Sequence, residues 1–236
     1  MSGEVHGLRA FYASPAGQVT ARLVRRQLAE LWPDLTGQAI LGIGHAAPYL
    51  RVWREQAGRC VALAPAQIGA ARWPAQGSNA TVLADEDHLP FPDLTFDRVL
   101  LVHGLEAAEN VRRLLREAWR VLKDDGTLLV VAPNRRGIWA HFEHTPFGHG
   151  QPYSPGQLGR LLERHMFRVE RRRGALYVPP VRWLLRAGQA WDSAGQRLWP
   201  ERFAGLVMVE AVKDVFAAMP AGTVTVRRRV LAGEPA

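Results

Sequence analysis

Apolar residues along this chain follow two spacings, and the alternation between them outlines the fold. Between Ser14 and Trp32, Val19, Leu23, Leu28 and Leu31 recur near helical spacing, with Ser14-Pro15 as a start signal and Pro33 as a stop. The run QAILGIG (38–44) then reads as a strand. PYLRVWREQAG (48–58) reads as a helix with Pro48 in its first turn and Gly58 past its end. RCVALAP (59–65), NATVLAD (79–85) and FDRVLLVHGL (96–105) are short apolar runs expected as strands. AENVRRLLREAWRVLKDDG (108–126) is the clearest helix, because Val111, Leu114, Leu115, Ala118, Val121 and Leu122 form one stripe and the arginines point away. GTLLVVAPN (126–134) follows as a strand and SPGQLGRLLERHMF (154–167) as a helix. RVERRRGALYV (168–178) is a candidate strand, RWLLRAGQAWDSAGQRLW (182–199) looks helical, and AGLVMVEAVKDVFA (204–217) supplies a last strand.

Strands alternating with helices predict an α/β protein whose mostly parallel sheet is covered on both faces. There is no internal repeat and no convincing linker, so residues 1–236 read as one domain. Its core spans about 37–178 with the last strand at about 204–216. A helical arm at about 14–32 precedes the core, a helical insertion occupies about 180–200, and the tail from Pro220 is expected to be loosely ordered.

Composition narrows the picture only a little. At 236 residues, 47% hydrophobic and 22% charged, the chain has ordinary globular make-up. No apolar run approaches the ~20 residues that span a bilayer, and the N-terminus lacks a hydrophobic leader segment. A single cysteine, Cys60, excludes an intramolecular disulfide. A cytoplasmic protein without membrane contact is the expectation. The net charge of +8 favours acidic partners without separating nucleic acid from an anionic metabolite.

Three stretches, taken in order, carry a resemblance. They are AILGIGHAAPYL (39–50), LADEDHLPFPDLTFDRVLLVHGLEAAEN (83–110) and LLREAWRVLKDDGTLLVVAPN (114–134). Together they resemble class I S-adenosylmethionine-dependent methyltransferases, especially the type 11-like branch with its LPFPD segment. The resemblance covers about residues 37–135. It implies a Rossmann-like class I fold with a seven-stranded, mostly parallel sheet. It also implies S-adenosyl-L-methionine as cofactor and a small-molecule methyl acceptor.

The resemblance also implies a site at the carboxyl ends of the strands. Gly42 and Gly44 match the small-residue turn where backbone passes close to the cofactor, and amides near His45 and Ala46 are expected to contribute. Asp85 matches the acid that accepts from the adenine amino group, and Glu86 the next position, whose amide faces the ring. His103, just past the fourth strand, is the candidate base, and Asn134 falls where substrate-side groups sit.

Two family acids are missing. Gly42 stands where strand 1 carries the acid that helps hold the methionine end. Ala64 stands at or beside the place of the ribose-binding acid, and Gln67 is a neutral substitute. Each hydrogen bond to a charged group contributes about 1.5–3 kcal/mol. Losing two predicts ~10²–10⁴-fold weaker binding where nothing compensates.

Residues 134–155 form a long connection with three histidines, several aromatics and the pair Arg135-Arg136, read as a cap over the substrate pocket. Arg135 and His149 are candidate substrate contacts there. Tyr12, in FYASPAG, could close over the cofactor or serve as a packing staple. His141, Glu143, His144 and His149 do not follow the HExxH spacing, so no metal is expected. The basic runs Arg25-Arg26, Arg171–Arg173 and Arg227–Arg229 could form a nucleic-acid surface, but such runs are commonly solvated faces, and nucleic acid is not favoured. Two readings stay open: a methyltransferase acting on a small molecule, and a non-catalytic methyltransferase-like module that binds a protein or RNA.

Overall fold

A computed structural model describes residues 2–65, 72–142, 145–148, 150–181 and 183–215. Seven strands form one sheet in the order β3-β2-β1-β4-β5-β7-β6. They are β1 Ala39–Gly44, β2 Arg59–Pro65, β3 Thr81–Ala84, β4 Phe96–Val102, β5 Leu122–Pro133, β6 Phe167–Ala175 and β7 Leu206–Lys213. The first five pair in parallel, and β7 runs antiparallel to both β5 and β6. This is the Rossmann-like class I fold that the strand pattern and the resemblance imply.

The strands read as continuous apolar runs because both faces are covered. On β1 and β4, Ile40, Leu100 and Val102 face a core that includes Leu28, Trp32 and Trp53. Leu41, Ile43, Val99 and Leu101 face the opposite core, with Leu114, Leu115 and Leu158. Helices α1 Ser2–Ala13, α2 Pro15–Leu31, α3 Ala47–Leu50 and α6 Gly188–Leu198 contribute to or border the first face. Helices α4 Val111–Val121 and α5 Pro155–Glu163 cover the second. Among the described residues no helix is long and apolar enough to cross a membrane.

Local chemistry sets several boundaries. Ser14 caps α2, its hydroxyl accepting from the Gly17 amide at 3.1 Å. Ser154 and Gln157 make a reciprocal capping box at the start of α5. Buried Asp192 of α6 accepts from the Tyr177 amide at 2.9 Å and from Gln27 at 3.2 Å, which ties α6 to α2 and to the exit of β6.

Three elements differ from the sequence expectation. The helix expected over 48–58 is one turn, Ala47–Leu50, followed by turns, because Ala57 bridges to Thr36 and draws the chain out before β2. Leu122 belongs to β5 rather than to the helix, its backbone extended at ψ 137°. An additional helix, α1, precedes the arm. The tail from Pro220 lies outside the described residues.

The LPFPD segment is a scaffold. Glu117 of α4 accepts from the Leu89 amide at 2.9 Å. Arg120 donates to the Leu89 and Phe91 carbonyls and to Asp93, at 2.9, 2.8 and 2.7 Å. Asp97 accepts from the Ala39 amide at 2.8 Å and from Lys123 at 2.7 Å, which holds the start of β1 beside β4.

Candidate active site at the carboxyl ends of the strands

β1 leaves the sheet through Gly44, whose φ of +78° lies in the left-handed region. A Cβ at this position would stand 2.5 Å from the Val102 carbonyl, so the neighbouring strand itself demands glycine. The His45 amide donates to that same carbonyl at 2.7 Å, turning the chain toward α3. Gly42 has a different reason. A Cβ there would meet Ala46 Cβ at 2.7 Å and Leu50 Cδ1 at 2.8 Å. Ala46, just before α3, and Leu50 of α3 therefore fill the place that the resemblance gives to the strand 1 acid.

β4 is followed by His103, a non-glycine residue at φ +50° and 4% exposed. Such backbone costs of order 1–3 kcal/mol and persists where surrounding contacts over-determine it. Those contacts are present. His103 Nε2 lies 2.8 Å from the Tyr12 hydroxyl, and Nδ1 lies 2.7 Å from Glu106 Oε1. The ring stacks on Phe147 at 5.5 Å with an 8° interplanar angle. Tyr12 in turn stacks on His45 at 4.6 Å. Phe11 meets Phe147 edge-on at 5.5 Å, so α1 and the segment after β5 close together over His103.

Beside this cluster a cavity of about 280 Å³ opens at the ends of β1 and β2. Gly44, His45, Ala64, Trp73, Thr81 and His103 are on its wall. Burial, reinforced by His103 and then Arg9, lowers the His45 pKa to about 3, so its imidazole is neutral at physiological pH. Burial above all pushes the Tyr12 hydroxyl well up, which keeps it protonated. His45 Nε2 and Glu106 Oε2 are buried with no hydrogen-bond partner among the described residues. The first of these lies on the cavity wall and calls for an explanation, and a bound polar ligand is one.

The sequence candidates separate into groups. Tyr12, Gly44, His45, Ala64 and His103 meet around this cluster and cavity. Gly42 and Ala46 lie behind it, packed against each other. Asp85 is exposed after β3 and accepts from the Asp87 amide at 3.0 Å. Glu86 is buried and accepts from the Glu109 amide at 3.0 Å, and burial raises its pKa. Asn134 is fully buried, with its Nδ2 donating to the Glu201, Arg202 and Ala204 carbonyls at 3.1, 3.2 and 2.8 Å. Arg135 lines a separate groove with Tyr153, Arg160 and Arg164. Gln67 and His149 lie outside the described residues, as do Glu143 and His144. His141 is exposed, with Nδ1 3.2 Å from the Gly137 carbonyl. Among the described residues no group of three or more histidine, cysteine or acidic side chains could hold a metal.

Sequence reasoning missed Glu106, Phe147, Phe11 and Trp73. For Glu106 a signal existed in HGLE, where the acid follows His103 by three residues. The aromatic contacts are tertiary and left no local signal.

A family model described as a methyltransferase domain matches residues 41–130. Over 117 residues the chain is 36% identical to the uncharacterised protein YafS of Escherichia coli strain K12, covering 49% of this chain and 44% of that protein. Over 55 residues it is 42% identical to the ubiquinone/menaquinone biosynthesis C-methyltransferase UbiE of Enterobacter sp. strain 638, covering 23% and 22% respectively. The matched stretch thus spans less than half the length of these curated relatives. The crystal structure of a SAM-dependent methyltransferase from Thermotoga maritima superposes with a TM-score of 0.59 at 16% identity, over 87% of this chain and 94% of that one. S-adenosylmethionine is the cofactor that such a domain implies. Residues 41–130 match the methyltransferase domain family, and the sheet around them has the fold of class I S-adenosylmethionine-dependent methyltransferases.

Proposed function

We propose that this protein transfers the methyl group of S-adenosylmethionine to a small-molecule acceptor, with His103 as the base. The observation that carries the reading is the buried Tyr12–His103–Glu106 chain beside the cavity at the ends of β1 and β2. Gly44, Ala64 and Trp73 would take the adenosine end, against small residues and one aromatic face. His45, being neutral, would not repel a sulfonium, and its unpartnered Nε2 is available to the ligand. When bound, the cofactor supplies an activated methyl and a good leaving group, so the protein's task is orientation and proton removal.

Glu106 holds the Nδ1 side of the His103 ring and fixes its orientation. Nε2 then faces Tyr12 and is the atom that would receive a proton from an acceptor hydroxyl or acidic carbon. Because His103 is buried under α1 and Phe147, the acceptor must displace part of that cover, and a site that closes over its ligand suits an enclosed small molecule. Incubating the protein and a cell extract with methyl-labelled S-adenosylmethionine tests this reading. Label should appear in the low-molecular-mass fraction and disappear with His103→Ala. Label confined to RNA or protein would refute the small-molecule acceptor.

One observation favours the second reading, a non-catalytic module that binds a protein or RNA partner. The place of the strand 1 acid is closed by Ala46 and Leu50, so that loss is built into the packing.

A further inference from the structure

The arginine runs of the sequence differ in what they face. Arg171 pairs with Glu210, Arg173 meets Glu30 at 2.9 Å and Gln27 at 3.1 Å, and Arg172 lies 3.9 Å from Glu163. That run is neutralised by its own fold. The run at 227–229 lies outside the described residues. The arginines of α2 are different.

Arg22, Arg25 and Arg26 of α2 converge with Arg51, just after α3, on a groove of about 580 Å³. Arg26 has a carboxylate partner, Glu30, at 3.3 Å. Among the described residues, Arg25 reaches the Pro48 carbonyl, at 3.5 Å. Among the described residues, no carboxylate lies within ion-pair distance of Arg22, Arg25 or Arg51. Burial, then Arg51 and Arg22, pull the Arg25 pKa down, with Tyr49 opposing. Like charges thus meet in one groove where Arg25 is partly desolvated and, among the described residues, Arg22, Arg25 and Arg51 lack a carboxylate partner, an arrangement that disfavours the empty protein and favours an anion.

We propose that this groove binds the diphosphate group of a small ligand through Arg22, Arg25 and Arg51. Guanidinium forks match phosphate oxygens two at a time, and three of them call for a multiply charged anion rather than a single carboxylate. The volume is that of a small-molecule site. The arginines gather in one groove, whereas tracking a nucleic-acid backbone needs a continued stripe, and the nearby run at 171–173 is already paired. The groove also touches the candidate active site. Tyr12 is on its wall and hydrogen-bonds His103, and Pro48 borders both spaces. The proposal stands without the methyltransferase reading, since it uses none of the cavity that would hold the cofactor.

Calorimetry with inorganic pyrophosphate and the full-length protein, without S-adenosylmethionine, tests it. Saturable binding is expected at ~0.15 M salt. Arg22→Gln and Arg51→Gln, both on exposed side chains, should each weaken it at least ~tenfold. Arg168→Gln, remote on β6 and paired with Glu170, should leave it unchanged. A parallel arm with vesicles that carry diacylglycerol diphosphate separates sources of the same chemistry. Vesicle binding displaced by pyrophosphate supports a lipid-borne ligand, and pyrophosphate binding without vesicle binding supports a free one. No saturable pyrophosphate binding, or binding indifferent to both groove variants, overturns the proposal. So does a short single-stranded RNA bound at least ~tenfold more tightly than pyrophosphate and lost in the same variants.

Discussion

The Tyr12 hydroxyl lies 2.8 Å from His103 Nε2, although the two residues are 91 positions apart. The contact joins the first helix of the chain to the turn after the fourth strand and fixes one of the two histidine rings on the cavity wall. Tyr12→Phe should cost about 0.5–1.5 kcal/mol, the net worth of one hydrogen bond, with the ring packing on His45 retained. Urea denaturation of the two proteins measures this. An unchanged midpoint would show that α1 does not rest on His103 in solution.

Restoring the family acid should not help. Gly42→Asp would push a carboxylate into Ala46 and Leu50, and overpacking of this kind typically costs about 1–3 kcal/mol. A lower melting temperature without tighter cofactor binding is the expected result. Tighter binding in a stable Gly42→Asp protein would mean that α3 yields easily and that the acid's place is still open.

His45 gives a pH dependence with a definite sign. Its folded-state pKa is lowered to about 3, mainly by burial, whereas an unfolded histidine titrates near ~6.5. The unfolded chain therefore binds the extra proton across that window, and the stability present above ~6.5 is lost as pH falls toward 3. His45→Phe should flatten the stability profile between these limits in denaturation curves taken across the range. An identical slope in the variant would place the buried imidazole elsewhere.

Glu117 acts in a lower window. Its hydrogen bonds from Arg120, more than burial, set the direction, and hold the carboxyl below the usual carboxylate range. Its contribution is present above the unfolded value near ~4.3 and is lost as pH falls through the lowered folded value. Glu117→Gln should therefore destabilise at neutral pH and lose less on acidification, because the Leu89 and Arg120 contacts no longer depend on a charge. A variant whose loss below pH ~4 equals that of the wild type would argue against the clamp.

The strands were legible because a sheet covered on both faces writes itself as continuous apolar runs, and α4 because its stripe meets one core only. The helix expected at 48–58 was over-read. Tyr49, Leu50 and Trp53 have helical spacing and are all buried, but the spacing alone does not say that the chain leaves helical geometry after Leu50. At the site, Gly44 was legible through the small-residue turn after strand 1 and Ala64 through the place of a missing acid, and both lie on the cavity wall. Glu106 and Phe147 were not, because they matter only through the ring of His103, and the left-handed turn that aims this ring is a backbone property with no marker in its residue type.

The central claim is that the cavity at the ends of β1 and β2 holds S-adenosylmethionine. Gly44 is a poor probe, because the fold itself needs glycine there. Ala64 is a better one, since it is half-buried on the cavity wall. Calorimetric titration of S-adenosylmethionine into the wild type and Ala64→Trp is the direct measurement. The account predicts saturable binding by the wild type, weaker by at least ~tenfold in Ala64→Trp at unchanged secondary structure. No heat of binding at millimolar cofactor with folded protein, or equal affinity in the two proteins, would contradict it.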